Sequence, residues 1–201
     1  HPGTTRIFAE EAEAARQATG LPPATVQLIY RTSHADGERA VADPRTGATG
    51  YTGSRSAGLK LKAAADAAGK PIYLELSSVN PVVVLPGALR QRGEQLAEEF
   101  TGSCLMGTGQ FCTNPGLVLL IQGGAADAFV RQIAERFQAA PVGTLLSRAV
   151  ETSLRSSLQT LRAAGAQVVA GDTPGGGQGY CHANTLLSVS GEQFLRRECR
   201  R

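Results

Sequence analysis

Short apolar runs alternate with amphipathic stretches along this chain. Val26–Tyr30, Ala48–Thr52, Ile72–Leu76, Pro81–Leu85, Leu117–Ile121, Gln167–Ala170 and Ala183–Val189 are strand-sized and rich in β-branched residues, and they predict strands. Between them the spacing of apolar positions turns helical. An alanine-rich helix is expected from Thr4 or Thr5 to about Thr19, stopped by Gly20 with Pro22-Pro23 beyond it. A weak helix follows near residues 38–42 and a longer one near 57–68. An amphipathic helix from Pro86-Gly87 carries Leu89, Leu96, Phe100 and Leu105 on its apolar side. Phe129, Val130, Ile133 and Phe137 mark a helix over 125–139, and another is expected over 147–164. Gly171 to Gly179 reads as a flexible loop. The alternation predicts an α/β fold with a parallel sheet, whose ligands gather beyond the carboxyl ends of the strands, here Gly53-Ser54 and Glu75.

Composition narrows the classes. At 201 residues and 42% hydrophobic, the chain is long enough to bury a core, as one domain or two small ones. A net charge of +3 is spread over 20 basic and 17 acidic residues, and aromatics make up only 5%, which argues against nucleic acid as a partner. The apolar runs fall well short of the roughly 20 residues that a membrane span needs. No charged n-region followed by an apolar segment opens the chain, so nothing reads as a signal peptide, and the cysteine pattern makes a reducing cytoplasm the expected, cytoplasmic setting. Cys104, Cys112, Cys181 and Cys199 form neither a disulfide framework nor a C-x-x-C zinc pair, and no metal is expected. The start at His1 and the charged end Arg196-Arg197-Glu198-Cys199-Arg200-Arg201 read as a piece of a longer polypeptide.

Three groups of residues carry candidate chemistry. In Met106-Gly107-Thr108-Gly109-Gln110-Phe111-Cys112-Thr113-Asn114-Pro115-Gly116, a cysteine sits in a glycine-bracketed turn between a helix and a buried strand. Gly107, Gly109 and Gly116 allow positive φ or close approach, and Pro115 fixes the exit. Such a corner displays a nucleophile; the plainer reading is a buried thiol. Glu75 is a carboxylate within an apolar strand, which in a desolvated cleft acquires the pKa of a general base, and at a solvated strand end does not. Thr52-Gly53-Ser54, with Gly58 beyond, is a glycine turn entering a helix. It suits either a phosphate at the helix N-terminus or simply a tight βα connection.

Tyr51-Thr52-Gly53-Ser54, Leu74-Glu75-Leu76-Ser77-Ser78-Val79-Asn80-Pro81 and Gly109-Gln110-Phe111-Cys112-Thr113, in this order and spacing, resemble the aldehyde dehydrogenases. The Ser-Val-Asn-Pro and Phe-Cys-Thr-Asn-Pro-Gly variants are most similar to the branch containing α-ketoglutaric semialdehyde and NADP-linked fatty aldehyde dehydrogenases. The resemblance implies Cys112 as nucleophile, Glu75 as general base, and Gly53 with Ser54 beside the pyrophosphate of NAD or NADP. It also implies an aldehyde as substrate, the Cys112 N–H as an oxyanion donor, and assembly into a homo-oligomer. Asn80 matches a family position near the active-site wall, without an assigned role. Residues 1–76 are then the second half of a Rossmann-like cofactor domain and 77–201 an incomplete catalytic domain.

The family's asparagine oxyanion donor, its ribose-binding lysine and its Glu-x-Phe-Gly-Pro motif find no match here, and Tyr30–Asp36 replaces a loop where the family has glycines. Weak or no turnover is therefore expected of these 201 residues alone. Two other classes stand beside this one: a cysteine hydrolase or acyltransferase in which His182 or His34 activates Cys112, and a folded remnant or interaction module without catalysis.

Overall fold

The computed structural model describes residues 2–30 and 32–196. It divides after Ser77 into two compact units. Cys199 and the rest of the charged end beyond Arg196 lie outside the described residues.

The first unit holds α1 (Pro2–Ala18), α2 (His34–Ala42), β1 (Thr49–Gly53), α3 (Arg55–Ala67) and β2 (Ile72–Leu76). Helix α2 begins earlier than its apolar pattern suggests, because the Ser33 hydroxyl caps it, accepting from the Asp36 N–H at 3.1 Å. Strands β1 and β2 are parallel, in register from Thr49↔Ile72 to Gly53↔Leu76. Helix α3 returns the chain between them, and α2 packs on α3. Val41 of α2 and Ala65 of α3 are buried. Val26–Tyr30, expected as a strand, is not one. It pairs with no other strand among the described residues, and Ile29 and Tyr30 stand 73% and 58% exposed. β-propensity without a ladder partner does not make a strand.

The second unit contains β3 (Pro81–Val84), α4 (Pro86–Leu105), β4 (Leu117–Leu120), α5 (Gly124–Ala139), α6 (Arg148–Ala163), β5 (Gln167–Ala170), β6 (Leu186–Ser188) and the short α7 (Gly191–Phe194). Strands β3 and β4 are parallel, from Pro81↔Leu117 to Val84↔Leu120. One face of this pair, with Val82, Val84, Val118 and Leu120, packs on α4 and α5. Leu89, Ala97, Ala126, Phe129, Ile133 and Phe137 complete that core, and the rings of Phe100 and Phe129 meet at 6.1 Å between centroids. Helix α4 starts with Pro at its first turn and is broken at Arg92, next to Gly93.

Strands β5 and β6 pair antiparallel, so the parallel arrangement expected throughout holds for two of the three strand pairs among the described residues. The last strand is shorter than the apolar run 183–189, because Asn184 and Thr185 are engaged elsewhere. The Asn184 side chain donates to the carbonyls of Phe137 and Ala140, both at 3.2 Å, satisfying the otherwise unpaired C-terminal end of α5. Nor is Gly171–Gly179 a loose loop. Its Gln178 carbonyl accepts from Thr144 Oγ1 at 2.9 Å, the neighbouring Tyr180 carbonyl accepts from the Leu145 N–H at 2.7 Å, and the Arg148 guanidinium lies over the Tyr180 ring.

Phe129 is 1% exposed at the centre of this core, whereas Val83 points away from it at 63% exposure. Phe129→Ala is therefore expected to lose about 3–5 kcal/mol in urea-induced unfolding, and Val83→Ser less than about 0.5 kcal/mol. Equal losses would show that the buried face has been misidentified.

Candidate active site

The thiol turn is built by a left-handed reversal at the end of α4. After Leu105 the chain takes positive φ at three successive residues, Gly107 (57°), Thr108 (61°) and Gly109 (70°). At Gly107 a side chain is excluded as well, since a methyl group there would lie 2.6 Å from Phe111 Cδ2. Thr108 has no such licence, and its conformation costs roughly 1–2 kcal/mol. Its side chain lies over Gly143, where an added Cβ would collide with it, so close packing holds the strained residue in place. Gly116 departs from expectation. Its φ is not left-handed, and a methyl there would make only an ordinary 3.7 Å contact with Val79.

Three side-chain amides hold this turn. Asn80, just before β3, donates from Nδ2 to the carbonyls of Cys112 at 2.8 Å and Asn114 at 3.0 Å. Asn114 in turn donates to the Cys104 carbonyl at 2.7 Å, tying the turn back to α4. Gln110 donates to the carbonyls of Gly107 (3.1 Å) and Thr144 (3.3 Å) and accepts from the Leu146 N–H (2.8 Å). Since Thr144 and Leu145 are bonded to Gln178 and Tyr180, the glycine-rich loop supports the thiol turn at second hand. Gln110 and Asn114 lie inside the motif that marked Cys112. Asn80 acts across 32 residues, and its only signal in the sequence was its match to a family position near the active-site wall, without a role.

Glu75 and the Gly53-Ser54 pair come together in the first unit. The parallel register sets Thr52 opposite Glu75 and Gly53 opposite Leu76, so both strands end at one level. Glu75 stands on the exposed face of β2 with Tyr73. Gly53 and Gly58 are glycines for a packing reason. A Cβ at Gly53 would lie 2.8 Å from Tyr51 Cζ, and one at Gly58 would run into Leu76. Ser54 caps α3, accepting from the Ala57 N–H at 3.3 Å. The first-turn N–H groups of this 13-residue helix have no partner within it, and Arg55 adds a cation beside them. That donor set suits an anionic group such as a dinucleotide pyrophosphate, with Ser54 and the α3 amides as the holding groups and Gly53 shaping the turn.

Neither His182 nor His34 hydrogen-bonds Cys112. His182 is buried, and neither ring nitrogen has a partner among the described residues; its nearest charged group is Asp172, at 3.8 Å. His34 opens α2 in the first unit. An imidazole-activated cysteine thus lacks its base-to-thiol hydrogen bond here.

Cys112 itself is exposed and free. Its backbone N–H makes no hydrogen bond among the described residues, which leaves that donor unused within the chain. Cys104 lies behind the turn with its sulfur 3.5 Å from the Pro115 carbonyl, and burial pushes its thiol pKa up to about 11. Cys181 is buried. Because the thiolate is the reacting species, iodoacetamide at pH 8 is expected to label Cys112, leave Cys181 intact, and reach Cys104 only as the pH climbs past its usual value of 9.0 toward 11. Peptide-resolved mass spectrometry reads this directly; equal labelling of Cys104 and Cys112 at pH 8 would contradict it.

Comparison with known proteins places the chain among relatives. Alpha-ketoglutaric semialdehyde dehydrogenase 2 of Azospirillum brasilense is 39% identical over 158 residues, covering 78% of this chain and 30% of that protein. Alpha-ketoglutaric semialdehyde dehydrogenase of Acinetobacter baylyi is 35% identical, over 80% of this chain and 31% of its own length. The chain thus spans under a third of these curated relatives. Among solved structures, lactaldehyde dehydrogenase from Escherichia coli superposes with a TM-score of 0.67 at 26% identity, covering 75% of this chain and 33% of that one. A betaine aldehyde dehydrogenase double mutant from Staphylococcus aureus, in complex with NAD+, reaches a TM-score of 0.79 at 18% identity, over 94% and 39%, a likeness of fold. The profile of the aldehyde dehydrogenase family matches residues 1–198, nearly the whole sequence, and with the displayed thiol of Cys112 it establishes that this chain belongs to that family.

Proposed function

We propose that this chain carries the thiol chemistry of an NAD(P)-linked oxidation of an aldehyde to the carboxylic acid, with Cys112 as nucleophile and Glu75 as general base. The observation that supports it most is the exposed Cys112 thiol on a turn whose carbonyls are clamped while its own N–H is left open.

The thiolate adds to the aldehyde carbon, and the carbonyl oxygen takes up the negative charge beside the Cys112 N–H. A backbone donor already in position needs no reorganisation as that charge develops. Ser54 and the first-turn amides of α3 would hold NAD or NADP, which would supply a hydride acceptor when bound. What remains on Cys112 is a thioester. Glu75 takes a proton from water, the hydroxide oxygen bonds to the acyl carbon, and the Cys112 thiolate departs with the C–S electron pair. Acid and free thiolate result.

The substrate class follows from the relatives whose names specify α-ketoglutaric semialdehyde, so a short aldehyde with a carboxylate at its far end is the proposed substrate. A reducing cytoplasm suits a reaction that depends on an exposed free thiol.

Reduced nicotinamide formed from α-ketoglutaric semialdehyde by the purified chain tests the assignment. The rate is expected to be small, to vanish in Cys112→Ser, and to fall by about 10²–10⁴ in Glu75→Gln, with acyl-enzyme accumulating on Cys112 by intact mass. A rate indifferent to Cys112→Ser would overturn the reading of the thiol, and one indifferent to Glu75→Gln that of the base.

A further inference from the structure

We propose that Asn80 is a positioning residue for Cys112: its side-chain amide fixes the peptide planes of the thiol turn, so that the sulfur faces a reacting carbonyl carbon while the Cys112 N–H faces the oxygen on that carbon. The proposal rests on the reading of Cys112 as nucleophile.

The argument begins with where the strand ladder stops. Pairing between β3 and β4 starts at Pro81↔Leu117, and Pro81 has no N–H to give. One residue earlier, the turn that carries Cys112 leaves carbonyls facing β3 with no backbone donor to meet them. Asn80 supplies both. Its Nδ2 has two hydrogens, and they go to two carbonyls two residues apart, Cys112 at 2.8 Å and Asn114 at 3.0 Å. A β-strand anchored by Val84 in the core thus extends its hold past its own end, through one side chain, onto the residue that bears the sulfur.

The chemical consequence is specific. A bond to the Cys112 carbonyl sets the plane of the 112–113 peptide, and the Asn114 N–H to Phe111 carbonyl bond, at 3.1 Å, closes the turn from the other side. Between them the Cα–Cβ direction and the N–H direction of Cys112 are locked together. Reactions in which negative charge develops on an oxygen need both. Reactions that need only the sulfur do not.

Residue type matters as well as place. Asn80→Ala removes both donors and leaves two carbonyls unmet. Asn80→Asp keeps the shape but puts one carboxylate oxygen in place of Nδ2, facing both carbonyls, so the contacts become repulsive. Neither substitution touches the sulfur.

Two reagents separate positioning from simple stability. With p-nitrophenyl acetate, the Cys112 sulfur bonds to the carbonyl carbon and nitrophenolate leaves with the C–O electron pair, through an oxyanion. With iodoacetamide, sulfur displaces iodide and no oxyanion forms. On the full 201-residue chain, with folding of each variant checked by circular dichroism at the assay temperature, Asn80→Ala is expected to slow acylation of Cys112 by about tenfold or more while alkylation changes by less than about threefold, and Asn80→Asp, whose carboxylate also acts on the thiol in both reactions, is expected to lower the ratio of acylation to alkylation by about tenfold or more. A ratio of the two rates unchanged from wild type, or both rates falling in parallel, overturns the positioning role. If Asn80→Asp does not fold, Asn80→Ser is read in its place: a lowered ratio supports the role and a wild-type ratio overturns it. Wild-type Cys112 acylating no faster, relative to its alkylation, than a cysteine-containing peptide would defeat the nucleophile assignment itself and this inference with it. An enhanced wild-type ratio that Asn80 substitutions leave untouched would defeat only the inference.

Discussion

A backbone that leaves helix and strand must still find partners for its carbonyls, and that constraint organises the second unit around Cys112. Residues 106–116 leave α4 in three left-handed steps and join β4 without a ladder of their own. The missing donors come from the side chains of Asn80, Gln110 and Asn114, each an uncharged amide. Carboxamides suit this task because they give two hydrogens from one nitrogen without bringing a charge beside a reactive sulfur. Lysine or arginine there would bind the same carbonyls but would also alter the electrostatics of the thiol.

The same device recurs away from the turn. Asn184 reaches the last carbonyls of α5, and Thr185 Oγ1 accepts from the Asp172 N–H at 2.9 Å, so the glycine-rich segment between β5 and β6 is tied into the unit at both ends. By contrast, the ion pairs Arg6–Glu10, Arg39–Asp36 and Lys62–Asp66 lie on exposed helix surfaces, where water and salt screen them and each contributes at most a fraction of about 1 kcal/mol. Around the thiol turn the ties are neutral hydrogen bonds to irregular backbone, while the glycine-rich segment behind it is held in addition by the Arg162–Asp172 pair at 2.7 Å and by Arg148 over Tyr180.

Much of this was legible from residue types alone. The periodicity at Phe129, Ile133 and Phe137 located α5 and its buried face, and the run Leu117–Leu120 located β4, because burial on a core writes itself into spacing. The cysteine turn was legible because left-handed backbone needs glycine, as Gly107 and Gly109 show. Thr108 was not, since a threonine held at positive φ by its packing on Gly143 leaves no mark in composition. Val26–Tyr30 misled because strand propensity says nothing about whether a neighbour is there to pair. Gly53 is ambiguous in a different way: its glycine makes room for the Tyr51 ring, which sequence cannot distinguish from room left for a ligand. The clamp by Asn80 was illegible because a bond across 32 residues depends on the parallel register of β3 and β4, known only once the strands are paired.

Strain and packing account for why the exposed Cys112 and the half-buried Cys104 differ although they sit near the same turn. Cys104 ends its helix facing inward, its sulfur against the Pro115 carbonyl, and the surrounding protein disfavours its thiolate. Eight residues on, after the left-handed reversal, Cys112 stands in solvent. The reversal is therefore what carries the second sulfur out of the packed layer. It costs energy at Thr108, and that cost is sustained only because Gly143 beneath it, Asn114 behind it and Asn80 across the strand end leave the segment no comparable alternative.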